Sequence, residues 1–511
     1  MRSRKIGKVN NARLQEWLSA GLVVALSTLY LLWPAGGYQV INLWKYRLFL
    51  VLALLYVGVS LLIRAELWLI SPHHRPLAWP RVALRPAHLA LLYLLFTGIS
   101  TLLSEFPGAF RGYGRDEGFF TIALYVGLFF LLQRHFRPKG WMLPVFAVSM
   151  TLFCLLGLVQ LTGANPLGLY PAGYNFYGAN IYYPGQYWST IGNMNLCAAL
   201  LSLASGLFAA ACIRGRRARD WIFLVPLCLS VFSILALDSE AGLVALLGGL
   251  LLLPPFVVRT GAHLRNLLLT YAAVLFSASA SKAVTFFDGG VTLTPGRSAL
   301  ALGIPAALLL LLGLTLGRRW SGAGFSPGRL RKWLAVASLA AVLAGFLTVY
   351  LSPFLPEGFL SQAHQLLRGH WDDSFGSGRL HIWRQTWNAI REKPLWGGGP
   401  DTLGLRGLEG FSRYNETLGR VVTSNIDVAH NEYLNIWVNQ GLLALLAYLA
   451  FLAGACVRWW KQADDQAALA GAGVLFYGIQ AFFGVSSCMT APYFWVALAI
   501  LLNQNRKEDD T

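Results

Sequence analysis

The stretches SGRLHIWRQTWNAIREKPLWGGGPDTLG (residues 377–404) and DVAHNEYLNIWVNQG (residues 427–441) decide how the chain is organised. They belong to its one long polar interruption, which runs from Ser352 to Ala429 and ends where apolar sequence resumes at His430. Apolar segments of about 20 residues, long enough to cross a hydrocarbon core, fill most of the remaining sequence. A polar stretch of this length does not cross lipid, so we expect it to hold the functional site.

Composition separates the chain from soluble proteins. Of its 511 residues, 56% are hydrophobic and only 13% are charged, whereas soluble proteins have roughly half and a quarter. The six cysteines are scattered without a Cys-X-X-Cys pair, so we expect neither a zinc site nor a disulfide framework. We expect no metal and no other cofactor. Membrane topology explains the formal net charge of +18, and we expect no nucleic-acid partner.

Hydropathy predicts an all-α polytopic membrane protein with about 12–14 transmembrane helices and one large loop that contains short amphipathic helices. Fourteen candidate spans begin near Trp17, Tyr46, His88, Phe119, Trp141, Asn193, Trp221, Ala241, Leu267, Ala299, Trp333, Tyr433, Ala468 and Thr490. The shortest of them are the least certain, and losing one would invert the topology of everything after it.

Charge distribution predicts the orientation. With the long loop left out, most of the 41 Lys and Arg residues lie in alternate connecting segments, which the positive-inside rule assigns to the cytoplasm. Both termini are then cytoplasmic, and the long loop is periplasmic or extracellular. We divide the chain into a transmembrane bundle of about 11 spans (1–351), a large extracytoplasmic loop (352–430), and C-terminal spans with a short cytoplasmic tail (431–511).

The outer segment SEFPGAFRGYGRDEG (residues 104–118) has two interpretations. One is a solvated turn in which Arg115 pairs with Asp116 or Glu117. The other is an anion site formed by Arg111 and Arg115, because arginine binds phosphate through a bidentate fork and glycines let backbone amides approach. Both interpretations remain open at the level of sequence.

A second outer segment combines tyrosines with two asparagines. Six tyrosines between residues 170 and 187 are typical of anchors at a membrane interface, and aromatic faces also stack on sugars. They precede STIGNMNLCAALL (residues 189–201), where Asn193 and Asn195 lie at the mouth of a span. Polar groups there usually face a cavity or cap a helix, so a helix cap and a donor-binding role are both open for these asparagines.

The long loop is predicted to contain an amphipathic helix that begins at a Ser377 N-cap and ends at Pro394. Its apolar face comprises Leu380, Trp383, Trp387 and Ile390, and its polar face comprises His381, Arg384, Asn388 and Arg391. Arg379 does not suit the first turn, since a cation there opposes the helix dipole unless an anion binds both. The WGGGPD segment that follows is expected to be an exposed, flexible turn.

His430 is the strongest candidate for a catalytic group. It stands where AHNEYLNIWVNQGLLALLAYL enters a membrane helix, so we place it at the positive end of that helix. Proximity to a helix N-terminus favours the neutral imidazole, which is the form that a general base requires.

The two loop motifs and STIGNMNLCAALL resemble the O-antigen ligase and O-antigen polymerase superfamily of bacterial envelope membrane proteins. The resemblance implies a metal-independent, inverting glycosyltransferase in the cytoplasmic membrane. Its donor would be a polyprenyl-diphosphate-linked glycan, and its acceptor a lipid or glycan at the outer face, among membrane lipids. The resemblance further implies that His430 deprotonates the acceptor hydroxyl and that Arg379 holds the diphosphate.

One motif departs from the family pattern. Family members commonly have a Ser-Arg-Gly-like turn at the outer end of a middle span, and here the corresponding stretch is DSEAG, with Glu240 at the arginine position. Asp238 and Glu240 are otherwise expected at the tip of an exposed hairpin. Substitutes for the missing diphosphate contact are Arg111, Arg115 and Arg384.

Several functions remain as alternatives. A polysaccharide polymerase and a protein O-oligosaccharyltransferase use the same chemistry with other acceptors. A transporter of lipid-linked sugars is the alternative from another class. It would need ionisable residues deep within several spans, and few are found. A purely structural membrane protein explains neither Arg379 nor His430.

Overall fold

The computed structural model describes residues 2–70, 86–178, 187–321, 324–352, 358–415 and 420–503. The N-terminal helices are α1 (Arg2–Ala25, followed by a π-helical turn at Leu26–Tyr30), α2 (Ile41–Ile70), α3 (Pro86–Leu102), α4 (Phe119–His135) and α5 (Met142–Gln160). The central helices are α6 (Met194–Arg214), α7 (Leu224–Ala236, preceded by a 3-10 turn at Ala218–Phe223), α8 (Glu240–Leu252), α9 (Pro254–Val257), α10 (Gly261–Ala283), α11 (Arg297–Ser321) and α12 (Pro327–Leu351).

The long loop and the C-terminal part supply the remaining helices. These are α13 (Phe359–Leu367), α14 (Phe375–Glu392), a 3-10 turn (Leu403–Leu405), α15 (Glu432–Gln440), α16 (Leu442–Lys461), α17 (Asp465–Gln480) and α18 (Ala491–Leu501). Short antiparallel hairpins pair β1 (Tyr187–Trp188) with β2 (Gly192–Asn193), β3 (Val284–Phe287) with β4 (Gly290–Leu293), and β5 (Phe411–Asn415) with β6 (Arg420–Ser424).

The described part of the chain confirms an all-α polytopic membrane fold. Seven of its helical segments are long and apolar enough to cross a membrane, namely Ile41–Glu66, Met142–Gln160, Met194–Arg214, Ala218–Ala236, Arg297–Gly317, Pro327–Leu351 and Leu442–Lys461. Helices α3, α4, α8 and α18 are apolar but shorter. Each of the fourteen predicted spans falls on a helix. That twelve to fourteen of them cross the membrane, and the division into three regions, stay predictions.

Helix α6 lies at the centre of the bundle and is almost wholly buried. It packs closely against α17 because small residues line their contact. A Cβ atom added to Gly206 would lie only 2.4 Å from the carbonyl oxygen of Ala472, and such close backbone approach is how membrane helices gain packing energy. Just beyond α17, the carbonyl of Ala481 accepts a hydrogen bond from the amide of Glu432, which fixes α15 to this central pair.

The span predicted to begin near Tyr433 is interrupted, which corrects the prediction that His430 enters a membrane helix directly. The helix breaks at Gly441, whose φ is +90°, and the candidate span starts only at Leu442. A Cβ atom at residue 441 would lie 2.1 Å from the carbonyl oxygen of Leu395, so the loop occupies the space beside the break. Helix α15 is therefore a separate nine-residue helix that carries His430 at its entrance.

The WGGGPD segment is buried, so the prediction of an exposed turn was wrong. The amide of Gly398 donates to the carbonyl of Val438 (3.2 Å), and that of Gly399 donates to the carbonyl of Asn439 (2.7 Å). These amides satisfy the last carbonyls of α15, which a helix leaves without intrahelical partners. The amides of Gly398 and Gly399 are therefore already used within the protein.

Helix α14 differs from the predicted amphipathic helix in two respects. Its first turn is kinked, with φ of +61° at Ser377, and Ser377 makes no N-cap hydrogen bond. His381, predicted on the polar face, is buried and lies 3.0 Å from the carbonyl oxygen of Glu409, whereas Trp387 of the predicted apolar face is exposed. The helix therefore buries a mixed face against the rest of the loop.

The long loop has a small hydrophobic core of its own. Its buried members come from α14, the following 3-10 turn, the approach to His430, and α15. They are Ala389, Ile390, Leu403, Ile426, Ala429 and Val438. The indole nitrogen of Trp383 adds a hydrogen bond to the carbonyl of Ala429 (3.0 Å). This core and this hydrogen bond hold α14 and the residues around His430 in a fixed relation.

Candidate active site

Arg379 is enclosed at the start of α14. Its side chain is 12% exposed, and its Nη1 atom donates to the carbonyl of Gly376 (2.9 Å) in the kinked turn. The Nε atom is buried and has no hydrogen-bond partner among the described residues. A buried donor without a partner is costly, so a hydrogen bond from Nε to an anion would remove that cost. The guanidinium group of Arg379 therefore has unused capacity to bind an anion.

Glu240 supplies the carboxylate that faces Arg379. It is the first residue of α8, where Ser239 caps the helix by accepting a hydrogen bond from the amide of Gly242 (3.3 Å). The Oε2 atom of Glu240 lies 3.6 Å from the Nη1 atom of Arg379, which is an ion pair longer than a hydrogen bond. Glu240, expected at the tip of an exposed hairpin, thus contacts the arginine of the long loop.

Arg115 forms the second guanidinium of the site, and its partner is neither Asp116 nor Glu117, so that interpretation was wrong. Its Nε and Nη2 atoms donate to Oδ2 of Asp427, at 3.0 and 2.8 Å. Its backbone amide donates to Oδ2 of Asp401 (3.2 Å). Arg115 therefore attaches the segment 104–118 to the long loop through both its side chain and its backbone. We refer to Arg115 and Arg379 together as the arginine pair.

His430 lies beside the arginine pair on a strained backbone. Its φ is +46°, a region that non-glycine residues rarely adopt and that occurs preferentially at functional sites. Asn431, and not His430, is the N-cap of α15, because its side chain accepts from the amides of Tyr433 and Leu434. No described residue hydrogen-bonds to the half-buried imidazole, so both ring nitrogens are available to a substrate.

The electrostatics keep His430 neutral. Burial lowers the pKa of the imidazole to about 4, and the positive charges of Arg115 and Arg379 contribute in the same direction, while Asp427 opposes them. The neutral form was expected from the helix N-terminus alone. In the structure, burial and the arginine pair are what lower the pKa of His430. The base and the anion-binding groups therefore lie within electrostatic reach of each other.

Beside Arg115 lies a polar cavity of about 40 Å³, which has room for a few water molecules. Its charged lining groups are Arg115, Glu117, Asp401 and Glu432. Burial raises the pKa of Glu117 to about 8 and that of Asp401 and Glu432 to about 7. Glu117 is therefore mostly protonated at neutral pH, and Asp401 and Glu432 titrate near it.

Three of the other predicted site residues lie apart from the arginine pair or have structural partners. Arg111 is exposed, and Arg384 forms an ion pair with Asp373 at the loop surface. Asn193 caps α6 by accepting from the amides of Asn195 and Leu196 (2.9 and 3.3 Å), which is one of its two predicted roles. Donor binding by these residues stays a prediction.

Sequence reasoning assigned no role to Asp427 or Glu432 and considered Glu117 only as a pairing partner of Arg115. Their positions in the sequence offered a signal. Asp427 lies three residues before His430, and Glu117 and Glu432 border apolar segments. Ionisable residues at the edge of a span are a usable signal of function. In the described ranges, no group of three His, Cys, Asp or Glu side chains is arranged to hold a metal ion.

The fold and this geometry define a polytopic membrane protein whose site places two guanidinium groups near a neutral histidine. Comparison with known proteins adds a family match. Residues 283–449, less than half of the chain, match the family described as O-antigen ligase. This segment contains Arg379, Asp401 and His430. The match confirms the predicted resemblance and supports a glycosyltransferase of the O-antigen ligase or polymerase type in a bacterial inner membrane. No curated protein matches the chain.

The raised pKa of Asp401 predicts a pH-dependent stability. Its folded pKa of about 7 exceeds its ordinary value of 3.8, so the folded state holds a proton that the unfolded state releases. Folding stability then falls as pH rises from about 4 to about 7 and is lowest above that range. We expect Asp401→Asn to raise the Tm by a few degrees at pH 8 and to change it little at pH 5, measured by thermal unfolding in detergent.

The matched control is Glu409→Gln, which removes an exposed carboxylate of the same loop. It should shift the Tm equally, if at all, at both pH values. An Asp401→Asn protein whose Tm difference from the wild type is the same at pH 5 and pH 8 would contradict the assignment of a protonated Asp401.

Proposed function

We propose that the protein is a metal-independent, inverting glycosyltransferase that moves a polyprenyl-diphosphate-linked glycan to an acceptor hydroxyl at the outer face of the inner membrane. One observation carries the proposal. A neutral imidazole on a strained backbone stands within electrostatic reach of two guanidinium groups, and these three side chains come from separate segments of the chain. The family match over residues 283–449 favours the same chemistry.

In the proposed reaction, His430 accepts the proton of the acceptor hydroxyl through a free ring nitrogen. The acceptor oxygen attacks the anomeric carbon of the donor glycan, and the bond from that carbon to the phosphate oxygen breaks with its electron pair on the diphosphate. Direct displacement inverts the anomeric centre. The imidazolium later returns its proton to solvent.

The arginine pair stabilises the negative charge that develops on the leaving diphosphate. Fixed donors aimed at developing charge are usually the largest catalytic contribution, and arginine provides both charge and bidentate hydrogen bonds. The unpartnered Nε atom of Arg379 is a donor ready for such an oxygen. A guanidinium pair performs the charge stabilisation for which other glycosyltransferases use a divalent ion.

Charge also sets the order of events. Before the donor binds, the arginine pair helps to depress the pKa of His430, so the imidazole is a weak base. A bound diphosphate adds negative charge near the imidazole, and the pKa of the imidazole then rises toward its ordinary value. The base consequently becomes strong only when the donor is in place, which limits wasteful proton exchange in the empty site.

The acceptor class is open within this proposal. A ligase, a polysaccharide polymerase and a protein O-oligosaccharyltransferase share the base and the diphosphate contacts and differ only in what supplies the hydroxyl. We favour the ligase because the matched family is described as O-antigen ligase. The proposal also places the donor on the outer side of the inner membrane and both termini of the chain in the cytoplasm.

Reconstitution in proteoliposomes tests the proposal. The donor is the lipid-linked glycan fraction that accumulates in bacteria lacking this protein, and the acceptor is an envelope extract of the same strain. We expect polyprenyl diphosphate to be released, as measured by mass spectrometry, with an unchanged rate in excess EDTA because arginines replace the metal. Absence of release, or release that requires a divalent ion, would overturn the proposal.

A further inference from the structure

Both members of the arginine pair face a carboxylate. Arg379 lies 3.6 Å from Glu240, and Arg115 lies 2.8 Å from Asp427, so each positive charge of the site has a negative partner from another segment. A site balanced in this way has no surplus positive charge for a diphosphate. An incoming diphosphate therefore competes with two carboxylates of the protein itself.

The two carboxylates are placed so that they can leave. The side chain of Asp427 is 52% exposed and that of Glu240 is 33% exposed, whereas those of Arg115 and Arg379 are 27% and 12% exposed. Ion pairs that include such an exposed partner are weak, because water replaces the lost contact at little cost. The guanidinium group of Arg379 is also held by the carbonyl of Gly376, and the backbone of Arg115 is fixed by the hydrogen bond from its amide to Asp401.

The contact between Glu240 and Arg379 shows most directly that the carboxylate is held less firmly than the guanidinium group. At 3.6 Å it is a charge contact without a hydrogen bond, and the Nε atom of Arg379 is left unpaired beside it. The carboxylate thus neutralises Arg379 without saturating it. An anion that reaches Nε gains a hydrogen bond that Glu240 does not make.

We propose that Glu240 and Asp427 are exchangeable counter-ions, which neutralise the arginine pair in the empty site, withdraw when the donor diphosphate binds, and return to displace the diphosphate product. This inference rests on the proposed function, because it assigns a diphosphate to the arginine pair. Glu240 and Asp427 are positioning residues, since they act through Arg379 and Arg115. Their role is to keep the leaving group from binding so tightly that product release becomes slow.

The direct test measures binding of inorganic pyrophosphate by calorimetry to the full-length protein in nanodiscs. Glu240→Gln and Asp427→Asn keep the side-chain size and remove the charge, and Asp373→Asn is the matched control because Asp373 pairs with Arg384 outside the arginine pair. We expect the first two variants to bind pyrophosphate about 3- to 30-fold more tightly than the wild type, and the control to bind it equally.

A kinetic measurement separates this role from a structural one. In the transfer assay, Glu240→Gln and Asp427→Asn should lower KM and kcat together, because the donor binds more tightly and the diphosphate product leaves more slowly. Glu240→Asp should restore most of the wild-type kcat. A folding defect would lower kcat without tightening pyrophosphate binding.

The outcomes distinguish the inference from the function on which it rests. If the wild type binds pyrophosphate and the two variants bind it no more tightly, the counter-ion role is wrong and the glycosyltransferase proposal stands. If neither the wild type nor the variants bind pyrophosphate, the diphosphate site is wrong, and both proposals fail.

Discussion

Replacing His430 with alanine should slow glycan transfer by about 10²–10⁴-fold, which is the usual loss when a general base is removed. The reason lies in the position of the imidazole, which is neutral, free of hydrogen bonds to described residues, and close to the arginine pair. The measurement is single-turnover release of polyprenyl diphosphate in proteoliposomes. Pyrophosphate affinity should fall little, since the imidazole carries no charge in the resting site.

The matched control for this substitution is His370→Ala, which removes an exposed imidazole of the same loop. It should leave transfer within about twofold of the wild type. Near-normal turnover of the His430→Ala protein, with an unchanged Tm, would remove His430 from the mechanism. If transfer is lost and the Tm of the His430→Ala protein falls as well, the effect is attributed to the strained turn at residue 430.

Replacing Arg379 with alanine should reduce transfer by about 10²–10³-fold, the loss found when one preorganised donor to a developing negative charge is removed. Arg379→Lys should recover only part of that loss, because lysine keeps the charge but lacks the planar fork that holds a diphosphate at two points. Both variants should weaken pyrophosphate binding. Calorimetry and the transfer assay measure the two effects separately.

Arg384→Ala provides the control, since Arg384 lies five residues further along α14 and pairs with Asp373 at the surface. It should change transfer by less than about threefold, as most surface substitutions have small effects. If Arg384→Ala is as damaging as Arg379→Ala, the donor diphosphate binds along the exposed face of α14 and not at the arginine pair. That result would support the role of Arg384 that the sequence suggested.

The parts of the fold that could be predicted are those that depend only on local sequence. Long apolar runs give the helices, and the polar stretch from residue 352 to 430 stands out against them without any knowledge of packing. The helix around Arg379 follows from its periodicity. Its kinked first turn, with positive φ at residues 376–378, does not, because it accompanies a contact with a distant residue, the hydrogen bond from the amide of Gly376 to the side chain of Gln362.

The break at Gly441 shows why local patterns were insufficient for the last part of the loop. Residues 432–461 read as one continuous apolar helix, and a single glycine is a weak signal of interruption. The break becomes necessary only because the carbonyl of Leu395 occupies the space beside residue 441. His430 is thereby carried by a short helix of the loop instead of a membrane span.

By itself the sequence determined that this is a many-helix membrane protein whose candidate chemistry involves His430 and Arg379, since hydrophobicity and residue type are properties of the chain alone. Only the tertiary structure decided which charges meet: Asp427 comes to Arg115 across 312 residues, and Glu240 comes to Arg379 from the start of another helix. Electrostatic interactions depend on distance in space, and helix packing sets those distances.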